Sequence, residues 1–340
     1  MKVTLRTVAE AAGVSIATVD RVLNRREGVR AATVEKVEGA IRRLGYAPSS
    51  LAARVQPGAG RFAFVLPQGG NPFYAALEEA VRRLPDWLPF AGTTYDVHHA
   101  DVFDGYALAA SLAVLRGEGY GGIAVVALDH PAVREEINAL KRDGIVVATL
   151  VSDVPSAARD RYVGIDNTAA GRTAGSLLAR FLPGRRGKVA LIAGSLALRD
   201  HAERRFGFEQ VIAQDFPGVE VIAVREGRDD AGRVRVLAAD LLAEHPDLAG
   251  LYNVGAGTAG AVAALEASGR AREVVFVGHE LTEDSRGALM RGTLDAVIAQ
   301  DPGHEARSAA RLMQALASGW PILDDQERIR IDVFLRDNVR

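Results

Sequence analysis

An all-α helix-turn-helix head followed by an α/β body of two doubly wound lobes is the architecture that this 340-residue sequence predicts. Three observations carry it. Charge is split along the chain, a cluster of breakers stands at Gln56-Pro57-Gly58-Ala59-Gly60, and beyond that cluster short apolar runs alternate with amphipathic helical patterns.

Residues 1–60 hold 10 Lys/Arg against 5 Asp/Glu, which leaves 31 against 38 for the remainder of a chain with net charge -2. A small basic unit is the electrostatic footprint of something that sits on phosphates, and an acidic body is repelled by the same polyanion. With 48% hydrophobic and 25% charged residues the chain can bury a large core. The absence of cysteine excludes disulfides, thiolate metal sites and cysteine nucleophiles. No window approaches the ~18 consecutive apolar residues of a membrane span, and Met1-Lys2-Val3-Thr4-Leu5-Arg6 lacks the apolar region of a secretory signal. A cytoplasmic protein is expected.

In the head, Leu5, Val8, Ala9 and Ala12 fall at i, i+3, i+4 and i+7, one apolar helical stripe that Gly13-Val14 ends. Ser15 can cap a second helix, Ile16 to Leu23. Two short helices joined by a Gly-containing turn make a helix-turn-helix whose second helix enters the major groove. Ile16, Ala17 and Arg21 then meet base edges, with Arg21 the candidate for guanine O6/N7, and Thr18 and Asn24 lie near phosphates. A third helix, Ala32 to Leu44, buries Val34, Val37, Ile41 and Leu44 and stops at Gly45.

In the body, Phe62 to Leu66, Ile123 to Ala127, Val146 to Leu150, Val189 to Ala193, Val221 to Val224 and Val274 to Val277 are apolar and β-branched enough for strands buried on both faces of parallel sheets. Helical patterns such as Ala107 to Leu115, Ala132 to Arg142 and Ala306 to Leu316 intervene, so the body reads as repeated βα units. The expected boundaries are a head at 1–47, a hinge and linker at 48–60 and a body at 61–340. Its first lobe is expected at about 61–162 and 293–322, its second at about 163–292 and 323–340.

The head and hinge, Thr4-Leu5-Arg6-Thr7-Val8-Ala9, Ala12-Gly13-Val14-Ser15-Ile16-Ala17-Thr18-Val19, Arg21-Val22-Leu23-Asn24, Leu44-Gly45-Tyr46-Ala47-Pro48 and Ala52-Ala53-Arg54, resemble the LacI (lactose and purine repressor) family position by position over about fifty residues. The resemblance implies a DNA-contact set that adds Thr4, Thr7, Ser15, Tyr46 and Ala52 to the residues above. It also implies a hinge at Pro48 to Gln56 that turns helical on operator DNA and drives an apolar wedge into the minor groove. The family's usual Leu at that wedge is Val55 here. Asp20 replaces the usual Ser; it either reads a cytosine amino group or pairs with Arg21 or Arg25.

For the body the resemblance implies an effector and dimerisation domain similar to periplasmic sugar-binding proteins of the ribose type, with a ligand at the carboxyl ends of the strands of two lobes. Asn71, Phe73 and Tyr74 follow the first strand in Asn71-Pro72-Phe73-Tyr74; the same residues also suit an Asn-Pro turn that caps a helix with core aromatics. Arg204 precedes the helical Gly207 as the family's ligand-binding Arg does, and its guanidinium fork suits vicinal hydroxyls or a carboxylate. Gln300 ends the strand Ala296 to Ala299. Three positions depart from the family: Asp153 arrives two residues late after the fourth strand, Asn253 is followed by Val254-Gly255, and His279-Glu280 stands where an Asp is usual. The expected ligand is a sugar, polyol or sugar acid ringed by Asn71, Phe73, Tyr74, Asp153, Arg204, Asn253, Glu280 and Gln300.

A rival reading rests on Gly255-Ala256-Gly257-Thr258-Ala259-Gly260, a G-x-G-x-x-G between a strand and a helix, which would make the chain an NAD-dependent enzyme. It lacks a clean acid at the end of the next strand, and the same glycines let a helix N-terminus approach sugar hydroxyls. His98-His99 with Asp101 and Asp104 is the one clustered set of potential metal ligands; adjacent histidines point apart. No G-x-S-x-G elbow or hydrolase-like acid pair appears, so neither catalysis nor a cofactor is expected. A homodimer on a pseudo-palindromic operator is expected, since one small head makes too few phosphate contacts for tight binding. No leucine heptads follow Ile329 to Arg340, which read as strand-like.

Overall fold

The computed structural model describes residues 5–23, 29–44, 60–88 and 92–339. The chain divides into two compact units, 1–55 and 56–340.

In the first unit, α1 (Leu5–Ala12), α2 (Ile16–Leu23) and α3 (Ala31–Leu44) follow the periodicity closely. Val8, Ala9, Val19, Val37 and Ala40 form their common core. α1 ends because Gly13 takes a φ of 66°, a left-handed conformation that costs glycine nothing. The Val14 amide then donates back to Ala9 O at 3.0 Å, and the chain turns into α2.

The second unit opens with β1 (Arg61–Pro67), α4 (Pro72–Arg82), the short α5 (Leu84–Trp87), β2 (Thr94–Ala100), α6 (Gly105–Arg116), β3 (Gly122–Val125), α7 (Pro131–Arg142), β4 (Val146–Leu150) and β5 (Arg161–Val163). These strands make a wholly parallel sheet in the order β2-β1-β3-β4-β5. The chain continues through α8 (Asn167–Phe181), β6 (Gly187–Ala193), α9 (Arg199–Asp215), β7 (Val219–Glu226), α10 (Ala231–Glu244), β8 (Leu248–Asn253), α11 (Thr258–Ala267), β9 (Val275–His279), α12 (Glu283–Arg291) and β10 (Ala296–Ala299). α13 (Pro302–Ser318), α14 (Asp324–Glu327) and β11 (Asp332–Phe334) complete it. The second sheet runs β11-β10-β9-β8-β6-β7, parallel except for β11, which lies antiparallel to β10. β3, β4 and β10 are buried at every position, as strands covered on both faces by helices must be.

Two expectations need correction. Residues 293–300 were expected in the first lobe, but β10 pairs with β9 in the second sheet, Ala296 opposite Val277. Its four apolar residues fill an internal position of that sheet, so the chain crosses back only at Asp301-Pro302, and α13 then packs on α4 and β4 of the first lobe. β2 was not among the predicted strands because it is an edge strand, half-buried and polar in Asp96, His98 and His99, and carries no apolar run. The strand-like pattern from Ile329 onward shortens to β11.

A close helix contact in the second unit lies between α8 and α9, and glycines make it possible. A Cβ on Gly171 would overlap the backbone oxygen of Arg204, and one on Gly207 would overlap that of Thr168. Gly171→Ala is expected to lower the unfolding free energy by about 1–3 kcal/mol, the usual cost of overpacking. Gly39→Ala in α3, where an added methyl meets open space, should instead stabilise the first unit by up to about 1 kcal/mol. Urea denaturation of the two variants checks both signs; an unchanged midpoint for Gly171→Ala would mean the α8–α9 contact is slack.

Candidate functional site

In the first unit, Ser15 caps α2 as its position predicts: its Oγ accepts from the Thr18 amide at 3.1 Å and lies 2.9 Å from the Thr18 hydroxyl. Ile16 is 44% exposed at the start of α2, an apolar side chain left outside the core formed by Val8 and Val19. Thr7 and Thr18 are partly exposed. Thr4, Asn24, Tyr46, Ala52 and Val55 lie outside the described residues, as do the side chains of Ala17, Asp20 and Arg21 and the hinge.

In the second unit, the carboxyl ends of strands from both sheets meet at one cleft. Backbone strain is concentrated there. Of the non-glycine residues with positive φ, Val151 (64°) follows β4, Arg228 (53°) and Asp229 (57°) follow β7, and Glu280 (65°) follows β9. Such conformations persist where the surroundings over-determine them, and they cluster at binding sites. The lobes touch across the cleft. Asn71 Nδ2 lies 3.5 Å from Asp229 Oδ2, the Arg228 guanidinium lies 5.4 Å from the Phe103 ring centroid, and Arg199 stands 3.7 Å from Asp129. Leu198, just before α9, is buried in the first lobe's core beside Ile123 and Val125.

The cleft floor is polar and buried. Arg204 on α9 is 3% exposed; its Nε donates to Asn167 Oδ1 at 2.8 Å and Nη1 to Val254 O at 3.1 Å, while Nη2 has no partner. Asn167 in turn donates to the Tyr162 hydroxyl, whose single proton is shared between the carbonyls of Val151 and Ile165, each 3.0 Å away. Asn253 Nδ2 donates to Gly255 O, Ala256 O and Thr258 Oγ1, which fixes its orientation and leaves Oδ1 unpartnered. Gln300 Nε2 donates to Glu280 at 3.0 Å, which leaves Gln300 Oε1 unpartnered. Asp200 Oδ1, His279 Nδ1 and both oxygens of Glu305 on α13 are buried without a partner as well. Each such atom costs on the order of 1–3 kcal/mol unless something bonds to it, and a native protein tolerates this concentration where a ligand supplies the bonds.

The electrostatics follow from burial. Desolvation pushes the Glu280 carboxyl up to about 7, against the pull of Arg204 and the Gln300 hydrogen bonds. Burial raises Glu305 well above the carboxylate range, and the nearby Glu280 raises it further. Desolvation also holds the His279 ring well below its ordinary value, aided by Arg204, so it is neutral and its Nε2 shares a hydrogen bond of 2.7 Å with Tyr252. Arg204 keeps its charge, since Asp200 and Glu280 outweigh the cost of its burial.

Arg204, Asn253, Glu280 and Gln300 are therefore brought together as the sequence proposed, and Asn71 stands on the facing wall. Asn71 does double duty: its Oδ1 accepts from the Phe73 amide at 3.0 Å and caps α4, while Nδ2 faces Asp229. Phe73 is 6% exposed and belongs to the core; its ring borders a cavity of about 470 Å³ shared with Glu280 and Gln300. Tyr74 packs edge-on against it at 5.3 Å. Asp153 is not drawn into the set. Arg159 clamps it through two hydrogen bonds, and Thr149 and the Val154 amide fill its remaining capacity, so it braces the loop after β4. Asp200, Glu305, Asn167 and Asp229 were missed. Glu305 carried a legible signal, an acid one turn before Ser308, Ala309 and Leu312 on the buried stripe of α13.

The glycine motif after β8 packs against protein. Asp229 Oδ1 accepts from the Ala256 amide at 3.0 Å, and a Cβ on Gly255 would meet Asp229 and His201, one on Gly257 Val234, and one on Gly260 the carbonyl of Ala231. A carboxylate thus holds the place that a pyrophosphate would need. His98 bonds to Tyr120, His99 to Glu78, Asp101 to the Phe103 amide, and Asp104 caps α6. No group of three potential metal ligands gathers among the described residues, and none of their helices is long and apolar enough to cross a membrane.

Comparison with known proteins adds two matches to family models: bacterial regulatory proteins of the lacI family over residues 4–49 and the periplasmic binding protein domain over residues 62–320. The ribose operon repressor of Halalkalibacterium halodurans is 28% identical over 265 residues, 73% of this chain and 70% of that one. The HTH-type transcriptional regulator DegA of Bacillus subtilis is 28% identical over 252 residues, 69% of this chain and 70% of that one. An ABC transporter solute-binding protein of Burkholderia graminis, solved in complex with D-arabinose, superposes with a TM-score of 0.76 at 23% identity, covering 84% of this chain and 98% of its own; it shows the two-lobed fold.

A carboxyl raised from 4.5 to about 7 stabilises the fold most below pH 4.5 and loses that contribution as pH rises through 7, about 3 kcal/mol in all. His279, lowered by burial, has the opposite sign and gives up stability as pH falls below 6.5. Glu280→Gln removes the first effect only. The stability of the wild type relative to this variant, from urea titrations, should therefore fall by about 3 kcal/mol between pH 4.5 and 8; a flat difference would place Glu280 in contact with solvent.

Proposed function

The chain belongs to the LacI family of bacterial transcription regulators, with a periplasmic-binding-protein domain as its effector module, and from that premise we propose how its residues divide the work. As a DNA-binding repressor controlled by a sugar-type ligand, it reads DNA with the head and senses the ligand in the cleft of the body. The ribose operon repressor and DegA, to which it is similar, are named as transcription regulators.

The observation that carries the ligand assignment is the set of buried, unpartnered polar atoms on Arg204, Asn253, Gln300, Asp200 and Glu305, of which Gln300 borders a cavity together with Glu280. A hydroxyl both donates and accepts, so a polyhydroxylated molecule can satisfy such a mixed set. Asn71 and Tyr74 close the site from the first lobe. Arg21, on α2, is assigned to base-edge reading, Ala17 to the same groove, and Thr4, Thr7, Ser15, Thr18, Asn24 and Tyr46 to the phosphates. Ala52 and Val55 are assigned to the minor groove at the operator centre. We further infer a cytoplasmic homodimer on a pseudo-palindromic operator. Ligand at the cleft favours one lobe arrangement and relieves repression, by no more than the difference in its affinity for the two arrangements.

Two variants test the division. Arg204→Lys, which keeps the buried charge but loses the Nη2 donor, should cost at least tenfold in affinity for any sugar or polyol that raises the melting temperature, while operator binding in the absence of ligand is retained. Arg21→Ala should lose operator affinity more than nonspecific affinity in competition binding at fixed salt. Unchanged ligand affinity in the first, or an equal loss on both DNAs in the second, would overturn the corresponding assignment.

A further inference from the structure

The cleft is not balanced in charge or in hydrogen-bonding capacity, and the imbalance says something about the ligand. Arg204 is one buried cation, whereas Asp200 and Glu305 are buried acids and Glu280 faces the same site. The unpartnered atoms lean the same way. Asp200 Oδ1, Asn253 Oδ1 and Gln300 Oε1 are acceptors, the Glu305 carboxyl has neither oxygen partnered, Arg204 Nη2 is a donor and His279 Nδ1 can serve as either. The two amide orientations are fixed by the bonds their nitrogens already make. Outward, a cavity of about 310 Å³ is bordered by Asp229, Asp230, Glu280 and Asp284, by the buried His279 with its unpartnered Nδ1, and by no Lys or Arg.

A sugar acid or sugar phosphate entering this site would add anionic charge to a surplus of carboxyls and bring acceptors to a surplus of acceptors. An ammonium brings three donors, no acceptor and a positive charge, and a buried acid is stabilised chiefly by a paired cation. Resting on the reading of this cleft as a site for a hydroxylated small molecule, we propose that its ligand is an amino sugar or amino polyol whose ammonium group is held by Asp200, Glu280 and Glu305 while Arg204, Asn253 and Gln300 hold its hydroxyls. The raised carboxyls are the unliganded condition of such a site: burial lifts Glu280 to about 7 and Glu305 well above the carboxylate range, and a bound cation favours the charged form of both.

The test uses the full chain at pH 7 and measures melting temperature and dissociation constant for matched probes. These are D-glucosamine, D-galactosamine, D-mannosamine and 1-amino-1-deoxy-D-glucitol, each beside its uncharged parent, with D-gluconate as the anionic control. At least one amine is expected to bind tenfold or more tightly than its parent, with gluconate the weakest. Glu305→Gln, close in size and neutral, should fold and lose most of that preference. If no amine exceeds its parent, or if Glu305→Gln keeps the full preference, the proposal is overturned. Binding of an uncharged sugar or of gluconate without preference for an amine would leave the sugar site standing and remove only the charge inference. Failure of every probe to bind would remove both.

Discussion

Arg204 is the interaction on which the body depends. Its guanidinium is buried where a charge is tolerated only with partners, and it is held by Asn167 from α8 and the Val254 carbonyl after β8, with Asp200 and Glu280 offsetting its charge. One side chain thus joins two helices and the carboxyl ends of two strands. It still keeps one donor free toward the cleft. The position is set by glycine: α8 and α9 approach closely only because Gly171 and Gly207 carry no Cβ, which brings Arg204 alongside Asn167.

The same economy shapes the rest of the cleft. Val151, Arg228, Asp229 and Glu280 take left-handed conformations as their strands end. Contacts across the cleft are of mixed kind, among them a buried leucine, a cation over a ring, an ion pair and the Asn71–Asp229 contact. The buried polar groups of the floor are many and incompletely paired. A ligand that pairs them ties the lobes together, and that differential is the free energy available for control of the DNA-binding head.

The fold was largely legible because periodicity and breakers mark helices and buried strands directly. Leu5, Val8, Ala9 and Ala12 announce α1, and Val146 to Leu150 announce β4 to the residue. Edge strand β2 was not legible, since pairing on one side asks for no apolar run. The return between lobes was misplaced by about eight residues because Ala296 to Ala299 suit either sheet, and only pairing with β9 decides. At the candidate site, Arg204 and Gln300 were proposed from the family resemblance and Asn253 from its place at a strand end. Asp200 was hidden because an acid in a helix ordinarily faces water, whereas Glu305 lay on a readable buried stripe and was overlooked. Asp153 misled for the reverse reason: its position at a strand end suits a ligand contact, but Arg159 six residues on already satisfies it.

The most direct measurement is a crystal structure of the chain with a small molecule that raises its melting temperature. The account requires that molecule between the lobes, with oxygen or nitrogen atoms within about 3.2 Å of Arg204 Nη2, Asn253 Oδ1 and Gln300 Oε1. A ligand seated elsewhere, with those three atoms bonded only to ordered water, would contradict it.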